Sequence, residues 1–206
     1  GGQKCELIGD IHKIALLGRH NLENVLPAIV IARQLNISIS VIQKVIYSFK
    51  GLPHRLEYVC EVNGVQFYND SLSTTPETSI AAVKAFNKPA ILIAGGSDKG
   101  ADYTNWASEI IKNGNLKAII LIGQMAERME RALQKSLKTG ISNKEKQNYV
   151  PEIITCHSLE EAVKTAYKKA STGEVVVLSP AAASFDMFKS YKDRGEQFME
   201  IVKGLK

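Results

Sequence analysis

The sequence predicts an α/β fold, a mostly parallel sheet entered through a β-hairpin. Three observations carry this. From Ala90 onward, short apolar runs alternate with longer stretches of helical period, the rhythm of repeated strand-then-helix units. Ahead of them, two strand-like runs, 56–62 and 65–68, flank Asn63-Gly64, the dipeptide that most favours a two-residue hairpin turn. Near the C-terminus, the Val- and Leu-rich run 174–178 lies between Gly173 and Pro180, the composition of a strand buried on both faces of a parallel sheet.

Taken in order, residues 1–18 read as short strands at 6–8 and 13–17 around a turn at Gly9-Asp10. They resemble the tail of a sheet with nothing before it, which suggests that the chain starts inside a larger protein. Asn21 is placed to cap a helix over 22–34, which Pro27 should kink by removing one backbone bond. A second helix follows a Ser cap over 40–49 and ends at Gly51. Leu52-Pro53 reads as a linker, because the residue before proline is pushed out of the helical region. After the hairpin, Thr75 caps a helix with Pro76 at its first position and Ala81, Ala82, Ala85 and Phe86 on its packing face. Strands at 90–94, 118–122 and 153–154 are each followed by a helix, over 103–112, 124–138 and 159–170. The polar stretch 139–150 is a loop. After the strand at 174–178 come five small residues, 179–183, and then Ser184 as N-cap of a terminal helix that places Phe185, Phe188 and Tyr191 on one face.

A length of 206 residues allows one or two domains with a sizeable core, and 45% hydrophobic with 23% charged residues is ordinary for a globular protein. The net charge of +5 is mild, and the basic excess around Lys135 to Lys146 reads as a solvated loop, so no nucleic-acid partner is expected. No apolar run is long enough for a bilayer and no signal peptide is visible; a cytoplasmic protein without a membrane partner is expected. Cys5, Cys60 and Cys156 show neither disulfide nor zinc spacing and read as small hydrophobes in a reducing compartment. His12, His20, His54 and His157 have no metal-ligand spacing, so no metal is assigned to them.

Asn69-Asp70, Gly95-Gly96, Gly123 and Ser179 all fall just past the carboxyl ends of strands, the rim where open α/β sheets bind ligands. The turn after 174–178 is either an anion site at a helix start or simply a tight junction. Gly95-Gly96-Ser97-Asp98-Lys99-Gly100 is neither a dinucleotide fingerprint nor a P-loop; Lys99 either meets an anionic substrate or is a solvated turn lysine. The stretch 69–76 (NDSLSTTP) offers a carboxylate and hydroxyls at a helix start, either for a ribose and an anion or as an elaborate cap. Arg55, after Pro53-His54, suits phosphate if it is not a plain surface arginine.

In order along the chain, Gly18-Arg19-His20-Asn21-Leu22-Glu23-Asn24, Leu52-Pro53-His54-Arg55-Leu56-Glu57, Asn69-Asp70-Ser71, Gly95-Gly96-Ser97-Asp98-Lys99-Gly100 and the stretch 178–195 together resemble the Mur ligase family. The resemblance covers nearly the whole chain. It implies that residues 1–51 are a small, mainly helical last part of the central ATP-binding domain. Residues 52–206 would be the complete C-terminal glutamate-binding domain, Rossmann-like with helices on both faces of the sheet. The family's P-loop, magnesium ligands and carbamylated lysine have no counterpart in this sequence.

The implied reaction is ATP-dependent amide formation in peptidoglycan precursor synthesis. The carboxylate of UDP-N-acetylmuramoyl-L-alanine becomes an acyl phosphate, which the amine of glutamate attacks. Both steps gather negative charge and call for cations and fixed dipoles. The implied cofactors are ATP and Mg2+, the metal ligands expected outside this stretch; the implied partners are these small molecules, acting on a monomer. By position, Asn21 and Asn24 would border adenine or ribose, Arg55 would face phosphate and Asp70 the ribose. Lys99, the implied catalytic residue, would hold the glutamate α-carboxylate with Thr74. Ser184, the Phe185 backbone and Tyr191 would hold the side-chain carboxylate. Leu72 stands where the family has lysine, Thr75 where it has asparagine, and Pro27 in place of a small residue. The Ser-Thr-Thr-Pro pattern resembles an L-glutamate-adding branch, so D-glutamate is expected first and L-glutamate is the alternative. Without the phosphate-binding loop, the chain alone is expected to be inactive. A non-catalytic module for a dicarboxylate or nucleotide is the rival reading; a dinucleotide enzyme would need a glycine fingerprint after the first strand, and none is present.

Overall fold

In a computed structural model that describes residues 6–140 and 150–205, the chain divides into two units, one ending at Leu52 and one beginning at Pro53.

The first unit holds a short 3-10 turn, Ile11–Lys13, and two helices, α1 (Arg19–Gln34) and α2 (Ile39–Ser48). The strands expected at 6–8 and 13–17 are not formed. A strand needs a neighbour to take its backbone groups, and here side chains of α2 take them instead. Gln43 Nε2 donates to the Ile8 carbonyl at 2.7 Å, and the Asp10 N–H donates to Tyr47 Oη at 2.7 Å. Asp10 caps the 3-10 turn through the His12 N–H. The N-cap of α1 is Gly18, whose φ of 87° suits glycine, rather than Asn21. Asn21 lies within the first turn, buried, and its Nδ2 donates to the Leu17 carbonyl at 2.7 Å. Helix α1 continues through Pro27.

The second unit is one six-stranded sheet in the order β1-β2-β6-β3-β4-β5. Strands β1 (Glu57–Val62) and β2 (Val65–Asn69) form the antiparallel hairpin, with Asn63 and Gly64 at φ 48° and 80°, the two positive values that an Asn-Gly turn accepts most readily. Then follow α3 (Pro76–Val83), β3 (Ala90–Gly95), α4 (Thr104–Asn113), β4 (Leu116–Ile122), α5 (Ala126–Gly140), β5 (Glu152–Thr155), α6 (Leu159–Lys169), β6 (Val175–Leu178) and α7 (Tyr191–Lys203). Among the described residues, every other pairing between these strands is parallel, and an isolated antiparallel bridge joins Ser97 to Ala183. Helix α5 takes in two residues of the expected loop; 141–149 lie outside the described residues.

The sheet alternates as the pleat requires. Phe67, Ile91, Ile93, Ile120, Val176 and Leu178 pack with Ala162 and Val163 of α6 and Phe198 and Val202 of α7. The residues between them turn to the opposite face, where α4 and α5 lie against β3 and β4. Helices thus cover both faces, as expected, and all four residues of β6 are buried in the middle of the sheet.

One element departs from the sequence reading in a way that matters for the rim. Ser184 does not begin a helix. Residues 184–190 close as turns, with the Ser184 carbonyl accepting from the Met187 and Phe188 N–H groups. Helix α7 starts at Tyr191, capped by Ser190, whose Oγ accepts from Asp193 N–H, while Asp193 reaches back to the Lys189 N–H at 2.8 Å. This reciprocal cap is a stronger start signal than a lone serine. Phe185, Phe188 and Tyr191 therefore do not share a helix face.

Candidate functional site at the carboxyl rim of the sheet

At the carboxyl ends of β2, β3 and β6, three loops are stitched together by backbone bonds. Beyond Leu178, the Ser179 N–H donates to Ile93 O, and Pro180 O accepts from the Gly95 N–H at 2.8 Å. The Ala181 N–H donates to Ser73 O at 2.9 Å, and its carbonyl accepts from Tyr103 Oη at 3.1 Å; between these two holds Ala181 stands at φ 57°. The Ser97 N–H donates to Ala183 O at 2.9 Å, and Ser97 Oγ accepts from the Phe185 N–H at 3.2 Å. Gly95 and Gly96, at φ 117° and 146°, leave no room for a side chain: a Cβ would overlap the Ile122 and Ala183 carbonyls respectively. Gly123 makes room in the same way for the carboxylate of Asp186, which accepts from the Gln124 N–H at 2.9 Å.

These loops bring Lys99 and Phe185 together. The Lys99 ammonium is 5.5 Å from the centroid of the Phe185 ring, which is 68% exposed, within cation–π range. Lys99 is itself exposed, whereas Ser184, next to Phe185, is buried. Thr74 is half-buried and follows Ser73, the residue whose carbonyl receives Ala181. Tyr191 is placed differently. Its carbonyl accepts from Ser71 Oγ at 2.7 Å, and its ring packs edge-on against His54, 5.9 Å between centroids, on the loop that carries Arg55.

That loop is held in an unusual backbone. His54 and Leu56 have φ of 62° and 42°, strained for non-glycine residues. His54 is buried; its Nδ1 lies 2.9 Å from Asn69 Nδ2, and its N–H donates to Glu57 Oε2 at 2.8 Å. Arg55 is half-buried. Asp70 secures the other side: Oδ1 accepts from the Leu56 N–H at 3.1 Å, and Oδ2 from Ser179 Oγ at 2.7 Å. Asp70 is 2% exposed. Burial pushes its carboxyl up to about 6, against the pull of its hydrogen bonds and of Arg55. Asn21 and Asn24 belong to the first unit, Asn21 buried and Asn24 exposed. Among the described residues, no three His, Cys, Asp or Glu side chains gather as metal ligands.

Sequence reasoning overlooked Ser179 as a partner of Asp70, and it overlooked Arg194. A signal for Arg194 was present. It stands four and eight residues before Phe198 and Val202, on the buried face of α7.

The rim can be set beside known proteins. Residues 54–182 match the Mur ligase, glutamate ligase domain. The chain is 43% identical over 202 residues to the UDP-N-acetylmuramoylalanine–D-glutamate ligase of Thermoanaerobacter sp. (strain X514), covering 98% of this chain and 42% of that protein. It is 44% identical over 192 residues to the enzyme of the same name from Acetivibrio thermocellus, covering 93% and 40%. In fold it is similar to the UDP-N-acetylmuramate-alanine ligase of Thermotoga maritima, with a TM-score of 0.65 at 15% identity over 94% of this chain and 40% of the other. The chain thus spans about two-fifths of the length of the relatives it matches. With a domain match across most of the second unit and close relatives along nearly its whole length, the chain belongs to the Mur ligase family.

Proposed function

We propose that this chain is the glutamate-receiving part of a longer ATP-dependent ligase that joins D-glutamate to UDP-N-acetylmuramoyl-L-alanine. In this reading, residues 1–51 end the ATP-binding domain and 52–206 form the glutamate-binding domain of a cytoplasmic monomer. The observation that carries it is the meeting of an exposed ammonium, Lys99, with the loop of Ser184 and Phe185, through Ser97. A dicarboxylate needs fixed donors and a cation at a rim where both loops are held still. Lys99 and Thr74 receive the α-carboxylate; Ser184, the Phe185 backbone and the first turn of α7 at Tyr191 face the other. That leaves the amine to attack an acyl phosphate supplied from the rest of the protein. ATP supplies the phosphoryl group; within the first unit Asn21 and Asn24 are assigned to its adenine or ribose, within the second Arg55 is assigned to phosphate, and Mg2+ is assigned to residues outside this stretch. Asp70 serves this half by fixing the Arg55 loop, since both carboxylate oxygens already take donors from the fold.

The test is an assay of the full-length protein for ADP release and amide formation with D- and L-glutamate in parallel. D-glutamate is the expected substrate. Lys99→Ala should lower kcat/KM for glutamate by about 10- to 150-fold, the range for losing one charge-assisted contact. Turnover that needs no glutamate, or a Lys99→Ala enzyme with unchanged kcat/KM, would overturn the assignment.

A further inference from the structure

Arg194 is among the largest fully buried side chains of the molecule, with 0% exposure. A buried cation is costly unless its donors are met and its charge is balanced. Here the guanidinium donates to neutral oxygens, and those oxygens lie on two different loops. Nε donates to Ser71 Oγ at 2.9 Å and Nη2 to Ser71 O at 2.9 Å. Nη1 donates to Ala182 O and Ala183 O, each at 3.2 Å. The Ala183 carbonyl is shared with the Ser97 N–H, so the grip extends to the Lys99 loop as well. Burial pulls the guanidinium down to about 10, and the carboxylate of Asp186 acts against that, so Arg194 stays charged at neutral pH.

An apolar side chain would fill the same space at less cost. What it could not do is hold three segments at one spacing. A guanidinium is a rigid planar fork, so the separation of Ser71 from Ala182-Ala183 is set by the fork itself. Thr74 follows the first of these segments, Ser184 follows the second, and Lys99 sits on the third.

We propose that Arg194 is a positioning residue for glutamate, a buried fork that sets the distance between the Thr74, Ser184 and Lys99 loops without touching substrate. This rests on the proposed ligase function. Its consequence is a selective one. Loosening the fork spreads the two ends of the glutamate site, so the KM for glutamate should rise more than the KM for ATP.

The experiment uses the full-length protein with Arg194→Lys and Ser71→Ala, and Arg194→Ala as the harsher variant, assayed below each variant's unfolding transition. Arg194→Lys keeps a charge but cannot span both loops, and Ser71→Ala removes the Oγ that accepts from Arg194 Nε and donates to the Tyr191 carbonyl, while the bonds of Arg194 to Ser71 O, Ala182 O and Ala183 O remain. The expected result is a rise of at least tenfold in KM for glutamate in Arg194→Lys, a smaller rise in Ser71→Ala, and a KM for ATP within twofold of wild type. A part that only stabilised the fold would lower the active fraction, and so the apparent kcat, with both KM values unchanged. That outcome, or equal rises for ATP and glutamate, would overturn the inference. If Arg194→Ala fails to fold, the lysine and serine variants still decide. A wild-type enzyme with no glutamate-dependent ADP release overturns the ligase function and this inference together. Activity in the wild type with unaltered KM in the variants overturns this inference alone.

Discussion

Ser179 donates its hydroxyl to Asp70 Oδ2 at 2.7 Å, joining residues 109 positions apart at the ends of neighbouring strands β2 and β6. The pair is buried, and through Asp70 Oδ1 it also holds the strained Leu56 backbone. A short polar chain thus fastens the hairpin's exit to the centre of the sheet.

Burial raises the Asp70 carboxyl from 3.8 to about 6, so the folded state binds this proton more tightly than the unfolded one. The stabilising contribution is therefore complete below pH 3.8 and is lost as pH rises through about 6. A rise of that size corresponds to roughly 3 kcal/mol at most. Asp102, Glu109, Glu160 and Asp193 are held below the usual carboxylate range, so the total curve is mixed and the difference between two proteins is the useful quantity. Urea midpoints of wild type and Asp70→Asn, measured from pH 4 to 8, should diverge with the asparagine variant gaining relative stability as pH rises. A constant difference would show that Asp70 does not titrate in this window.

Ser179→Ala should cost about 1–3 kcal/mol, because it leaves Oδ2 of a buried carboxylate without its donor. Denaturant unfolding gives the number directly. The loss should be larger at pH 8 than at pH 4, where the carboxyl is protonated.

Ala181 offers a test of backbone strain. Its φ of 57° costs an L-residue roughly 1–2 kcal/mol. Ala181→Gly removes that penalty but adds freedom to the unfolded chain, for a net gain of up to about 1 kcal/mol. Ala181→Val puts a branched side chain into the same conformation at a fully buried position, and should lose roughly 2 kcal/mol or more. A valine variant as stable as wild type would mean that this turn relaxes.

A control sits at the opposite end of the sheet. Lys117 Nζ lies 2.8 and 2.9 Å from the two carboxylate oxygens of Glu174, which also accepts from the Ser171 N–H at 2.8 Å. Glu174→Ala should destabilise by about 1–3 kcal/mol through the unmet donors. In the full-length protein it should leave the KM for glutamate within twofold of wild type, in contrast to Arg194→Lys.

The parts of this fold that could be read from the chain are those encoded locally. The Asn63-Gly64 turn needs only its two residues and their flanking strands, and Thr75-Pro76 starts α3 as expected, with Thr78 Oγ1 accepting from the Thr75 N–H. Strand order is not local. That β6 lies between β2 and β3 follows from packing between segments far apart in the chain, Val175 pairing with both Gln66 and Ala90, and no periodicity announces it. The misplaced cap at Ser184 shows competition between two serines, which Asp193 decided in favour of Ser190. The runs 6–8 and 13–17 failed as strands because a short run around a turn does not say whether a neighbour exists to pair with it. At the rim, Lys99 and Ser184 could be picked out by motif, whereas Arg194 looked like one more charge on an amphipathic helix.

The late strand at the middle of the sheet orders the birth of the molecule. A ribosome works from the first strand to the last, and until Val175–Leu178 has emerged the hairpin and the β3-β4-β5 block are two sheets with facing raw edges. Released chains that end before residue 175 should therefore be prone to stick to one another, and extension through Leu178 should reduce this.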